Sequence, residues 1–257
     1  SLKRVYIIIG INYLKGYNCS FLYFKIQYFR KKLVVGKPYE SKIKFIVFQR
    51  VNTYFNSASK ITFWLLLVIM IWTTLNLKKW KHAETNAKII TWDVTSYYGY
   101  LPAIFIHHDL SLDFIDTDGV NYSAKHQFWP ERLNRDLERD PAGEIKVIKT
   151  TMGMSFMYAP FFFMAHGFAY LSKYESNGFS QPYEFFLVLS CLFYLFIGLF
   201  FLRKLLLFTF SEWVTSLTMV TVLAGTNLYY YASAEPAMSH AFSFSLVTCF
   251  IFQSILW

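Results

Sequence analysis

Charge is what this chain has too little of. Asp, Glu, Lys and Arg make up 16% of its 257 residues, where soluble domains carry about a quarter. Acids are almost missing from residues 1–60, which hold twelve Lys and Arg and a single acid, Glu40. Cysteine is scarce too. Cys19, Cys191 and Cys249 form no spacing motif and read as small core residues, with no bearing on redox compartment. There is no nucleotide-binding glycine loop, no Walker motif and no nucleophile elbow, so chemistry driven by a cytoplasmic nucleotide has no visible home. No internal repeat or low-complexity tract is present. The first 60 residues lack the pattern of a cleavable signal peptide.

What replaces charge is apolar and aromatic surface. Hydrophobic residues reach 55% and aromatics 21%, with 28 Phe, 19 Tyr and 7 Trp. Residues 61–77 run seventeen positions without a charge, 185–202 eighteen, 213–231 nineteen and 241–257 seventeen. Each is near the roughly 17–25 residues that cross a bilayer core. The pattern predicts an integral membrane protein. The last run has no polar flank, and the first methionine, Met70, lies inside the first run; both predict a fragment of a longer protein.

The net charge of +9 is unevenly spread. Residues 78–150 hold ten Lys and Arg against eleven acids, so the excess sits in residues 1–60. Ahead of membrane spans, such a segment reads as a cytoplasmic flank near anionic lipid rather than a nucleic-acid site. The alternative reading is translated sequence upstream of the true start, and no function is assigned to it. The domain reading is a basic segment over 1–60 and a transmembrane domain over 61–257. The fold class expected is all-α: a polytopic helix bundle with a large first extracytoplasmic loop, 78–150, of short surface helices.

Residues 152–171 are long enough to cross but contain Gly153, Pro160, His166 and Gly167. A full crossing would put Arg203 and Lys204 outside, against the positive-inside rule. A broken, re-entrant segment keeps them inside. It brings the first loop and residues 232–240 to the same outer side, with 213–231 crossing outward. Broken backbone at membrane depth needs a protein or water-filled lining, so a cavity is expected beside the loop.

Three groups could carry chemistry. Asp93 stands about fifteen residues beyond the first span and is followed by Tyr97, Tyr98 and Tyr100. It reads as a helix cap or as a base or ligand at the membrane surface. The tyrosines read as interfacial belt residues or as substrate contacts. Lys146, Lys149, Thr150 and Thr151 lead into the Gly153–Pro160 segment, where a lysine could hold a phosphate as a point charge or simply snorkel. Thr226 and Asn227 close one run, and Glu235 and His240 occupy the short loop before the next. They read as loop solvation or as lining of the Asp93 side. His107-His108-Asp109 lacks the spacing of a metal site. The acids around Asp113–Gly119 fall out of EF-hand register.

This arrangement resembles the GT-C superfamily of membrane glycosyltransferases, and within it the bacterial relatives of protein mannosyltransferases and aminoarabinose transferases. The residues carrying the resemblance are Asp93 with Tyr97-Tyr98-Gly99-Tyr100-Leu101-Pro102, and Lys149-Thr150-Thr151-Met152-Gly153 with Tyr158-Ala159-Pro160-Phe161-Phe162 and Ala165-His166. Thr226-Asn227 and Ser239-His240 complete the set. The resemblance covers roughly residues 60–257. It implies transfer of a sugar from a polyprenyl-phosphate carrier to a glycan, lipid or protein acceptor on the non-cytoplasmic face of the inner (plasma) membrane. Asp93 would be the general base or a metal ligand, and Lys149 would meet the carrier phosphate. The substrate-binding set is Tyr97, Tyr98, Lys149, His166, Glu235 and His240. No cofactor is required, although a divalent metal remains open. Val94 stands where many members carry a second acid, leaving Asp140 or Glu144 to supply one. The competing expectations are a transporter or flippase for lipid-linked or small solutes, and a non-catalytic membrane scaffold.

Overall fold

The computed structural model describes residues 58–82, 89–117, 122–134 and 144–257. Residues 1–57 of the basic segment over 1–60 lie outside the described residues, as does the candidate second acid Asp140. Those described are mostly helical. Three helices are long and apolar enough to cross a membrane. The first is α1 (Ala58–Leu77), extended by a 3-10 turn over Lys79–His82. The second and longest is α7 (Gln181–Leu206), and the third is α10 (Ser239–Leu256). Each coincides with a charge-free run, because apolar side chains without competing turn residues settle into helix wherever backbone groups must be satisfied internally.

Between α1 and α7 come α2 (Trp92–Tyr98), α3 (Tyr100–Phe105), α4 (Phe114–Thr117), α5 (Tyr122–His126), β1 (Glu131–Asn134), β2 (Glu144–Val147) and α6 (Gly153–Tyr170). After α7 come α8 (Glu212–Ala224) and α9 (Leu228–Ser233). β1 and β2 pair antiparallel, Glu131 opposite Val147 and Asn134 opposite Glu144. The expected all-α class therefore holds among the described residues except for this one small antiparallel pair, which lies in the loop expected to hold only short helices.

α7 is the pillar. Its first turn carries Pro182, pre-set for a helix start, and its buried residues lie on several sides rather than on one stripe. Cys191, Leu195 and Leu199 are fully covered. α1 runs antiparallel to it: Ser59 lies at Arg203, and Trp80 meets Phe185 edge-on at 5.4 Å between ring centres. α6 is also antiparallel, with Phe161 against Phe193 and His166 against Tyr183. α10 runs parallel beside the lower half of α7, Tyr194 meeting Phe242 and Phe201 meeting Phe252. Their backbones close up at Gly198, where a Cβ would fall 2.5 Å from the Phe244 ring and 3.1 Å from Ser245 Cα.

Two expectations about continuity are corrected. Residues 152–171 are not broken: α6 is one helix through Pro160. Its missing N–H leaves the carbonyl of Phe156 on an exposed face. Residues 213–231 are not one span. α8 stops at Ala224, and Thr226 turns the chain by donating its Oγ1–H to the Val222 carbonyl while accepting from Leu228 N–H. Such local side-chain bonds offer the backbone an alternative to the helix ladder. The thirteen residues of α8 rise only about 20 Å.

The loop also differs from separate surface helices. Ala103, Leu112, Phe114, Ile115, Tyr122, Phe128 and Ile148 form a small core of their own. Asp109 caps α4, accepting from the N–H groups of Ser111, Asp113 and Phe114 and from the Ser111 hydroxyl. Those donors, the Ser111 hydroxyl foremost, hold its carboxyl below the usual value in spite of some desolvation.

At the far end of the bundle, a charged clasp joins three elements. Ser59 donates its N–H and hydroxyl to Glu212 Oε2, and Arg203 Nε donates to Ser59 Oγ at 2.8 Å. Arg203 also lies 3.9 Å from Glu212 Oε1, with its side chain 6% exposed.

Candidate functional site

The register of the helices shapes one end of the bundle. α8 and α9 climb beside α1 until Tyr229 reaches Thr73, hydroxyl to hydroxyl at 3.1 Å. There the chain turns, and α10 starts back opposite Cys191–Tyr194, since the Cys191 thiol points at the Tyr231 carbonyl and Tyr194 meets Phe242. That level lies ten to thirteen residues into α7, or about 15–20 Å below its start. The turn from α8 to α10 thus forms a step below the rim made by α1 and α7.

Polar groups collect on this step. Thr226, Asn227 and Glu235 are exposed. Glu235 accepts from the Tyr230 hydroxyl at 2.9 Å. That bond raises the Tyr230 phenol above its ordinary value. His240 stacks on Tyr231, ring centres 3.7 Å apart and nearly parallel, and its Nδ1 is buried without a hydrogen-bond partner. Pro236 and Ala237 are buried beneath, with Ala237 at φ +77°.

α6 connects the step to the loop. Tyr158 donates its hydroxyl to the Ala237 carbonyl and packs edge-on against Phe242. One turn earlier, Ser155 donates to the Tyr97 carbonyl at the end of α2. Tyr98 packs against Tyr158 and Phe162. The start of α6, the start of α10 and helix α2 are therefore joined through three side chains. Both α6 and α10 have methionine at the N-cap, Met152 and Met238, and neither start has a side-chain cap. Uncapped N–H groups and the helix dipole leave such ends positive.

Asp93 lies in the first turn of α2 and is exposed. Thr91, not Asp93, takes the N-cap position. Just before the acid, Trp92 holds φ +51° with 87% of its surface exposed. A bulky residue in the left-handed region costs about 1–2 kcal/mol, strain of the kind that collects at functional positions. Lys149 is exposed four residues ahead of α6, in a segment fixed by the Tyr100 hydroxyl, which donates to the Thr150 carbonyl at 2.6 Å.

The other residues of the candidate set play different parts. Tyr98 is fully buried and its hydroxyl is given to the Gly178 carbonyl. Burial pushes that phenol well above its ordinary value, with Tyr183, Tyr122 and Glu184 adding to the effect. It anchors α2 instead of facing a substrate. Tyr97 contributes its backbone carbonyl. His166 bonds the Tyr183 hydroxyl through Nδ1 at 2.6 Å and stacks on Phe162, further up α6 from the step. Lys146, paired in the sequence with Lys149, is committed elsewhere. Its ammonium lies 2.7 Å from Asp116 and 3.2 Å from Asp113.

One acid escaped the sequence reading. Glu184 sits in the first turn of α7, 1% exposed, and its Oε1 accepts from Ile89 N–H at 3.3 Å. The charge-free run begins at Phe185, so Glu184 looked like a flank; its position one residue after Tyr183 and two after a helix-starting proline was the signal. Among the described residues, no cluster of three His, Cys, Asp or Glu is arranged to hold a metal ion.

No family model, curated protein or solved structure matches this chain.

Proposed function

We propose that the chain is an integral-membrane glycosyltransferase, moving a sugar from a polyprenyl-phosphate carrier to an acceptor on the non-cytoplasmic face. One observation carries the reading: α2 with its exposed Asp93, the lysine-bearing approach to α6 and the start of α10 are tied together by Ser155, Tyr158 and their carbonyl partners. Asp93 acts as general base toward the acceptor hydroxyl, a role worth about 10²–10⁴ in rate. Lys149, His240 and the two uncapped helix starts stabilise the phosphate as it leaves. Glu235 and Asn227 offer hydrogen bonds to sugar hydroxyls. The carrier's tail lies in lipid against the apolar flanks of α6 and α10, where Phe156, Phe163, Leu246 and Phe250 are exposed.

The test is release of polyprenyl phosphate from a mixed pool of polyprenyl-phosphate sugars in membranes containing the protein. Asp93→Asn is expected to abolish it at unchanged protein level. Equal release from variant and parent would sink the role of Asp93, and no release from the parent with any sugar would sink the transferase.

A second reading, a transporter for lipid-linked or small solutes, is favoured by the break between α8 and α9. Interrupted apolar helices at a polar step are a transporter feature. Uptake or flipping of the carrier without loss of its sugar would select it.

A further inference from the structure

Glu184 lies outside the proposed chemistry, yet the first turn of α7 is where the upper end of the bundle is fastened. Three consecutive residues there each hold a different element. Tyr183 bonds His166 of α6 at 2.6 Å. Phe185 packs edge-on against Trp80, beyond the end of α1. Between them, Glu184 accepts the N–H of Ile89, which leads into α2.

Ile89 and Ile90 are buried, at 7% and 2% exposure, in the main core. From Ile89 the chain reaches Asp93 through a short series of backbone bonds: Thr91 N–H donates to the Ile89 carbonyl at 3.0 Å, and Val94 N–H to the Thr91 carbonyl at 3.1 Å. Thr91 then starts α2, and Trp92 takes its strained left-handed conformation. A local helix of seven residues cannot impose that conformation by itself, since isolated helices shorter than about twelve residues are marginal. The fixed points are its two ends. Tyr98 pins the far end to Gly178, and the Glu184–Ile89 bond pins the near one.

Carboxylates at this depth are costly, and an apolar residue would fill the same volume more cheaply. Among the contacts this carboxylate makes, the bond from Ile89 N–H is the one that orders the approach to α2. We infer that Glu184 is a positioning residue: by holding Ile89 against α7 it fixes the direction of α2 and hence the placement of Asp93. The inference rests on Asp93 being the reacting acid; the fastening itself does not.

The first measurement concerns the parent protein alone. Hydrogen exchange in detergent is expected to show the Ile89 amide protected, well beyond the neighbouring exposed positions Trp92 and Asp93. Rapid exchange at Ile89 would overturn the fastening. The second uses a nitroxide at Trp92→Cys, a position 87% exposed. Glu184→Leu is expected to free the label's motion, whereas Glu184→Gln, whose amide oxygen still accepts from Ile89 N–H, leaves it as in the parent. Identical spectra in all three proteins would overturn the proposal. In the membrane release assay, Glu184→Leu is expected to lower kcat by about 100-fold, the size of effect a misplacement of about 1 Å produces. KM for the carrier should change little, and Glu184→Gln should restore most of the rate. A freed label with an unchanged kcat would overturn the positioning role while leaving the fastening intact. Absence of turnover in the parent, with the label and exchange results as expected, would instead fail the transferase reading.

Discussion

The Tyr158 hydroxyl donates to the carbonyl of Ala237, joining α6 to the turn that enters α10. Both residues are fully buried, and Ala237 holds φ +77°. The bond is thus what keeps an unfavourable turn in place beneath His240. Tyr158→Phe keeps the ring packing on Phe242 and leaves a buried carbonyl unsatisfied, a loss of about 1–3 kcal/mol. Thermal unfolding in detergent should show it. Ala237→Gly removes the left-handed penalty, so the destabilisation should be smaller in the double variant than in Tyr158→Phe alone.

The loop has its own pH limits. Burial works to lower the Lys146 ammonium, but the bonds to Asp116 and Asp113 overcome it and leave it above its ordinary 10.5. A raised lysine contributes stability that is fully present below the unfolded value and is lost as pH rises through the higher folded one. Its partners are largely exposed, Asp113 at 71% and Asp116 at 46%, so the pair is worth at most about 1 kcal/mol. Asp109 works in the opposite sense. Its lowered carboxyl contributes stability above the ordinary 3.8, lost as pH falls through the folded value below that. Lys146→Met should lower the melting temperature by a constant amount from neutral pH to about pH 10, the difference closing only above it. For Asp109→Asn the difference should close only below about pH 3.8. Melting curves across the range decide both.

The α7–α10 contact is closest at Gly198. A Cβ there would fall 2.5 Å from Phe244 Cδ1, which can rotate, but also 3.1 Å from Ser245 Cα, which cannot move without its helix. Gly198→Ala should cost about 1–3 kcal/mol through overpacking, and Gly198→Leu should prevent the two helices from docking. Gly153 and Gly167, with open space around them, should accept Ala with no such loss. Comparing the three alanine variants by thermal unfolding separates close packing from a general intolerance of glycine replacement.

Much of this fold was legible in the chain because apolar runs act locally. Residues 61–77, 185–202 and 241–257 each became one helix, whatever surrounds them. What failed was the weighing of individual breakers. Pro160 looked decisive in residues 152–171, since an interior proline removes one N–H and crowds the carbonyl four residues earlier, yet the helix continues through it with the Phe156 side exposed. Gly225-Thr226-Asn227 looked harmless within nineteen uncharged residues. Threonine's hydroxyl bonds in both directions and ended the helix. At the site, the sequence suggested Asp93, Lys149, Glu235 and His240 by their nearness to apolar runs, and the structure keeps all of these near helix starts. The burial of Tyr98 and the pairing of Lys146 were not legible because both are tertiary facts; nothing adjacent to Lys146 announces Asp113, thirty-three residues away.

The step itself can be tested by chemical labelling. With α1 and α7 crossing the bilayer, α8 starts beside Ser59 at the lower end of α1, and Leu217, five residues further on, lies about 8 Å along it, within the length of α1. The break after Ala224 turns the chain at Tyr229, level with Thr73, and exposes Thr226, Asn227 and Glu235 together. Exposed amide and carboxylate groups at that depth require water or a polar partner. Single cysteines at Asn227, Glu235 and Asp93 in a protein lacking Cys19, Cys191 and Cys249 should therefore react with a membrane-impermeant maleimide from one and the same side. Cysteine at Leu217, exposed on α8 at 69%, should stay unreactive because lipid covers it. Lipid-soluble maleimide should label all four, which separates shielding by lipid from burial in protein. Failure of Asn227→Cys and Glu235→Cys to react from the side that labels Asp93→Cys would separate the step from the loop, and with it the combined site.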